Sequence, residues 1–170
     1  MTTPHRMPAR PLDALRFVLL TGLGTGLAPV VPGTVGTLPG VVLGILACHL
    51  LTGPALLTVV FGLAGVLLVF GMTQTAFLER RFGHHDPQAV VLDEVVGYLI
   101  ALGIFLVVHG APEAPWVVGL FVSFRAFDIL KPPPVGRLED LPGAVGVMAD
   151  DAMAGLLAGG LAAVLAVFLG

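Results

Sequence analysis

Long apolar runs alternate with short polar breaks along this chain, and its charged residues gather at the breaks. No Asp, Glu, Lys or Arg occurs between Arg16 and Glu79, between Glu94 and Glu113, or after Asp151. Runs of this length without period-two alternation predict helices. The pattern predicts a short amphipathic helix over Pro11–Leu20, with Asp13 and Arg16 one turn apart. Apolar helices are then expected over 38–51, 54–78, 93–108, 116–130 and 150–169. Pro39 and Pro54 suit a first turn, where a missing N–H costs nothing, and Pro132-Pro133-Pro134 stops the fourth apolar helix. Glycine and proline over 22–37 and 135–148 predict structured loops. The expected fold class is all-α: one 170-residue domain, a multi-helix transmembrane bundle of about five apolar helices with Gly/Pro-rich cytoplasmic loops.

Composition strengthens the membrane reading. The chain is 56% hydrophobic and 11% charged, against about 25% charge for a soluble domain, and its mean hydropathy is +1.00. A net charge of −3 leaves no basic footprint for nucleic acid. The lone cysteine, Cys48, has no intrachain disulfide partner and reads as a small buried hydrophobe. Arg6, Arg10 and Arg16 place the N-terminus in the cytoplasm. Alternating helices then bring Arg80, Arg81, Lys131, Arg137, the acidic pairs and both Gly-rich loops to that same face. Small residues at four-residue spacing predict close helix crossings: Gly36, Gly40 and Gly44; Gly155, Gly159 and Ala163; Gly119 and Ser123.

The acidic pairs carry the candidate chemistry. Asp93-Glu94 leads into one apolar run and Asp150-Asp151 into another. A carboxylate costs about 2.5–3.5 kcal/mol at the centre of a membrane helix, so these sit where water and headgroups begin. A helix cap accounts for one residue of each pair, not for two like charges together, twice. Arg125, Asp128 and Lys131 recur every third residue, which keeps them within about 120° of one helix face. The five carboxylates Asp93, Glu94, Asp128, Asp150 and Asp151 are hard oxygen donors that suit Mg²⁺ or Mn²⁺ rather than zinc. Arg125 and Lys131 suit phosphate oxygens. Gly143-x-x-Gly146 and Gly33-Thr34-Val35-Gly36 can offer backbone N–H groups to an anion. Together these predict metal-assisted phosphoryl chemistry at a membrane surface. Asp86 can add another oxygen. His84 and His85 read as solvated loop residues that can also ligate metal or shuttle protons.

Four stretches in this order resemble the phosphatidylglycerophosphatase A family. They are Pro32-Gly33-Thr34-Val35-Gly36-Thr37, Val91-Leu92-Asp93-Glu94-Val95-Val96-Gly97, Phe124-Arg125-Ala126-Phe127-Asp128-Ile129-Leu130-Lys131-Pro132, and Leu141-Pro142-Gly143-Ala144-Val145-Gly146-Val147-Met148-Ala149-Asp150-Asp151. Ala144 stands where that family commonly has a second glycine, and Thr37 where serine is common. The resemblance implies an all-helical, Mg²⁺-dependent phosphatase of a bacterial inner membrane that converts phosphatidylglycerophosphate to phosphatidylglycerol and phosphate. Carried onto this chain, it implies Asp93, Glu94, Asp128, Asp150 and Asp151 as metal ligands. Arg125 and Lys131 would neutralise the phosphoryl group, and Gly33, Thr34, Gly36, Gly143 and Gly146 would contact phosphate or headgroup. Either water or a carboxylate such as Asp151 is the nucleophile. The alternatives are a phosphatase acting on another lipid phosphate, and a small transporter or ion-binding membrane protein. Transport favours ionisable residues near the membrane midplane, whereas these cluster at one face.

Overall fold

The computed structural model describes residues 11–169, and every regular element among them is a helix. In chain order these are α1 (Pro11–Leu20), a 3-10 turn (Thr25–Leu27), α2 (Pro32–Leu50), α3 (Gly53–Met72), α4 (Thr75–Phe82), α5 (Leu92–His109), α6 (Ala114–Leu130), α7 (Val135–Leu138) and α8 (Ala144–Leu169). By length and composition, α2, α3, α5 and α8 can cross a membrane. The 17-residue α6 is a fifth, slightly shorter apolar helix. Arg6 and Arg10, which orient the chain in the sequence reading, lie outside the described residues.

Helix α5 is the centre of the bundle. It packs against α8, α3, α2 and α6, and nearly all of its residues from Leu92 to Leu106 are buried. A helix apolar all round belongs in such a place. Small residues set the close approaches. Gly155 and Gly159 of α8 lie against the backbone of Gly97 and Ala101 of α5, and an added methyl would overlap it. On the other side, Gly36 of α2 receives Val91, Gly40 receives Val95, and Gly44 receives Leu102. Lipid tails are as apolar as leucine, so it is this close packing that drives helices together in a membrane. The Gly119/Ser123 pair marks no crossing. Gly119 meets only Trp116 of its own helix, and the Ser123 hydroxyl donates to the Gly119 carbonyl at 2.8 Å.

Three boundaries differ from the sequence reading. The glycines of 32–37 form the first turns of α2 rather than a loop. Pro32 starts the helix with its preset φ, Thr37 Oγ1 donates to the Gly33 carbonyl at 2.8 Å, and Pro39 falls inside the helix. The expected helix over 54–78 breaks after Met72. There the Thr73 hydroxyl and the Gln74 amide both donate to the Phe70 carbonyl, at 2.7 and 3.0 Å, competing with the helical bond. Finally, α8 begins at Ala144, so Asp150 and Asp151 lie in its second turn and do not open it. Its first amide, on Ala144, donates to Thr75 Oγ1 of α4 at 2.9 Å. That cap comes from a residue remote in sequence, and α7 likewise occupies part of the expected 135–148 loop.

Candidate active site

One polar cavity of about 380 Å³ gathers the ends of four helices. The start of α2 contributes Pro32 and Gly33, and the start of α5 contributes Asp93 and Glu94. From the end of α6 come Arg125, Asp128 and Ile129, with Lys131 just beyond it, and from α8 Val147, Asp150 and Asp151. Asp86, Gln88, Val90 and Glu139 complete the wall. The Gly97–Gly155 contact is what places the acids together. Asp93 stands four residues before Gly97, and Asp151 four residues before Gly155. Where the two backbones touch, the side chains one turn back face a shared space.

Asp93, Glu94 and Asp151 each bring a carboxylate oxygen to within 4.8 Å of the others. Asp93, Asp150 and Asp151 are 8%, 4% and 4% exposed, and Glu94 is 9% exposed. Three hard donors converging on one point suit a divalent cation. Glu94 Oε2 is buried without a hydrogen-bond partner, which an ion at this point would satisfy. The residues therefore fit a metal such as Mg²⁺.

The other two acids are held by cations. Arg125 Nη1 lies 2.6 Å from Asp128 Oδ2 and 3.7 Å from Glu94 Oε1. Lys131 Nζ lies 2.8 Å from Asp150 Oδ2 and 3.0 Å from Glu139 Oε2. Among the described residues no cation pairs with Asp93 or Asp151. Burial works against the Lys131 ammonium, but the hydrogen bonds to Asp150 and Glu139 outweigh it and raise its pKa above the ordinary lysine value. Lys131 is thus a fixed positive charge. Arg125 is less satisfied: its Nε and Nη1 are buried without a hydrogen bond of good geometry, despite the short ion pair. Buried polar atoms are rarely left so. Asp93 Oδ1 accepts the Glu94 N–H at 3.1 Å and Asp150 Oδ1 the Asp151 N–H at 2.9 Å. Neither acid is a helix cap, since α5 is entered from Val91 without a side-chain cap and Asp150 lies inside α8.

The glycine-rich segments divide. Gly33 lines the cavity, and a methyl there would meet Glu94 Oε1 and Arg125 Nη2 at 2.5 and 2.9 Å. Thr34, Gly36, Gly143 and Gly146 are not in the cavity wall. Gly36 is filled by Val91, and Gly146 packs under the carbonyls of Leu138, Glu139 and Leu141. Gly143 turns the chain at φ +63° against Thr75. His84 and His85 are exposed and stand outside the wall, whereas Asp86 is in it. The sequence reading missed Gln88 and Glu139. Glu139 carried a signal, since Glu139-Asp140 is another adjacent acidic pair, eight residues after Lys131.

The phosphatidylglycerophosphatase A family model matches residues 18–166. The chain belongs to the phosphatidylglycerophosphatase A family. Proteins of Haemophilus influenzae and Escherichia coli, each named phosphatidylglycerophosphatase A, are 33% and 34% identical to it. These matches cover 83% and 85% of this chain, and 82% and 79% of the relatives. A Bacteroides thetaiotaomicron protein provisionally named as a phosphatidylinositol-3-phosphatase is 38% identical, over 84% of this chain and 87% of its own. No solved structure matches. Membership makes the chain a lipid phosphatase, and its four long apolar helices make it a membrane protein.

Proposed function

We propose that the chain hydrolyses phosphatidylglycerophosphate to phosphatidylglycerol and phosphate in a Mg²⁺-dependent reaction on the cytoplasmic face of a bacterial inner membrane. One observation carries the reading. A carboxylate oxygen in want of a cation (Glu94 Oε2) and a guanidinium N–H in want of an acceptor (Arg125 Nε) are buried at the same cavity, whose wall includes both residues. A phosphate monoester with a divalent cation satisfies both. The two relatives named for this activity supply the headgroup.

Asp93, Glu94 and Asp151 would hold the ion, which supplies Lewis-acid chemistry to the phosphoryl group. Arg125 orients phosphoryl oxygens through its free donors and balances the charge that spreads over them in the transition state. Lys131, fixed in charge by Asp150 and Glu139, adds positive potential and does not exchange protons at neutral pH. The first turn of α2 reaches the cavity through Gly33 and has no side-chain cap, so its free amides favour an anion. Asp128 holds Arg125 in place at 2.6 Å. Water attack and attack by a carboxylate such as Asp151 both fit. Rapid quench separates them, since only the second leaves a phosphoenzyme.

Hydrolysis of another lipid phosphate is the second reading, favoured by the 38% identical relative named for phosphatidylinositol 3-phosphate. Phosphate release in detergent from phosphatidylglycerophosphate, phosphatidylinositol 3-phosphate and phosphatidic acid tests both. The account expects phosphatidylglycerophosphate to be turned over fastest with Mg²⁺ present. No release from it overturns the reading.

A further inference from the structure

The polar cavity has an apolar rim. Val30 and Val31, just before α2, are 69% and 59% exposed, and Ile129 and Leu130, at the end of α6, are 67% and 76% exposed. Single exposed apolar residues are unremarkable, but these form two pairs at the two helix ends that flank the carboxylates. Exposed Asp86, Gln88 and Glu139 give the cavity a polar, water-facing side, and the apolar pairs give it a second side of the kind that meets a membrane. Helices α2 and α6 run antiparallel from this point, meeting where Gly33 receives the Arg125 guanidinium.

Further along the same two helices lies a second cavity of about 450 Å³. Gly44, Ile45 and Cys48 of α2 and Val117 and Val118 of α6 form its walls, and Tyr98 and Leu102 of α5 its floor. Tyr98 stands four residues beyond Glu94, and Leu102 eight. Val118 stands seven residues before Arg125 and Gly44 eleven beyond Gly33, so at 1.5 Å rise per residue the walls begin about 10–17 Å from the polar site. The far end of the cavity is Ala111 and Pro112 of the α5–α6 connection. Ile45 and Val118 are 47% and 60% exposed, so the cavity is open to the bilayer side.

We propose that the seam between α2 and α6 is the lipid side of the enzyme: the substrate enters between the Val30–Val31 and Ile129–Leu130 rims, and an acyl chain lies in the cavity floored by Tyr98 and Leu102. This rests on the lipid phosphatase reading. The phosphomonoester sits at the head of the seam and the chain descends along α5, as a lipid must when its headgroup is at the membrane surface.

The test compares kcat/KM for long-chain phosphatidylglycerophosphate with that for its deacylated, water-soluble headgroup. Ile45→Trp and Val118→Trp fill the second cavity from exposed positions. Each is expected to lower the ratio of long-chain to headgroup activity about tenfold, while Val66→Trp, exposed on α3, leaves the ratio unchanged. An unchanged ratio in both seam variants overturns the proposal. A second readout needs no catalysis. Cys48 is the chain's one cysteine, and its rate of labelling by a thiol reagent in detergent should fall several-fold with long-chain phosphatidylglycerol and stay the same with the deacylated headgroup. Equal labelling rates with both overturn the proposal. If the wild-type protein hydrolyses neither substrate, the phosphatase reading fails, and the Cys48 labelling alone decides the seam.

Discussion

Gly97 and Gly155 meet backbone against backbone, one helical turn beyond Asp93 and Asp151. The same contact closes the bundle and assembles the carboxylates. A methyl at Gly155 would overlap the Gly97 carbonyl, and neither backbone can swing aside as a side chain can. Gly155→Ala is expected to cost about 1–3 kcal/mol by overpacking, and to lower phosphate release on the order of 100-fold because the acids separate. Gly160 of the same helix has open space around it. Gly160→Ala should leave activity intact and raise stability by up to about 1 kcal/mol. Thermal unfolding in detergent and phosphate release measure both.

The carboxylates are not equivalent. Asp93 and Asp151 belong to the converging trio, whereas Asp150 is held by Lys131 at 2.8 Å. Asp93→Asn and Asp151→Asn should each reduce kcat by about 100-fold or more. Asp150→Asn should reduce it less and cost stability instead, because it leaves Lys131 with Glu139 alone. Steady-state kinetics alongside melting temperatures distinguish the two outcomes. Equal kinetic losses at all three positions would contradict the division.

Arg125 is bound to Asp128 and near Glu94 with its side chain 14% exposed. Removing one member of a buried pair strands the other, at a cost of about 3–5 kcal/mol. Arg125→Met should therefore destabilise strongly, and Arg125→Met combined with Asp128→Asn less than the sum of the two changes. A double-mutant cycle by denaturant unfolding should return a coupling of about 1–3 kcal/mol. Simple additivity would mean that the pair does not form.

Lys131 gives a pH prediction with a definite sign. Its pKa is raised in the folded protein, so the stability from its ion pairs is fully present below the unfolded lysine value of about 10.4. That contribution is lost only as pH rises through the folded value. The stability gap between wild type and Lys131→Met should thus be constant between about pH 8 and 10 and close above that. Unfolding measured across the alkaline range checks it; a gap that closes below pH 9, more than about one unit under the free-lysine value, would show that Lys131 is not held by Asp150 and Glu139.

Much of this arrangement was legible in the sequence. Charge exclusion from long apolar runs gave the helices, and Asp93-Glu94, Asp150-Asp151 and Arg125-x-x-Asp128-x-x-Lys131 named the groups that line one cavity. What stayed hidden depended on contacts remote in sequence. The start of α8 is capped by Thr75, so no local signal put Asp150 and Asp151 inside a helix. Gly33 looks like a loop glycine until the Arg125 guanidinium is seen to need the space, whereas the Gly36, Gly40 and Gly44 stripe already announced a close helix crossing. The partition of five acids into a trio and two ion pairs likewise depends on side-chain directions across three helices, which spacing along one chain does not encode.

The central claim is that Asp93, Glu94 and Asp151 form one cation site that drives hydrolysis of phosphatidylglycerophosphate. Phosphate release from that lipid, measured for wild type and Asp151→Asn with Mg²⁺, after chelation and after Mg²⁺ is restored, tests it most directly. The account predicts release by wild type that stops on chelation and returns with Mg²⁺, and near-background release by Asp151→Asn throughout. Undiminished release under chelation, or full activity in Asp151→Asn, would contradict it.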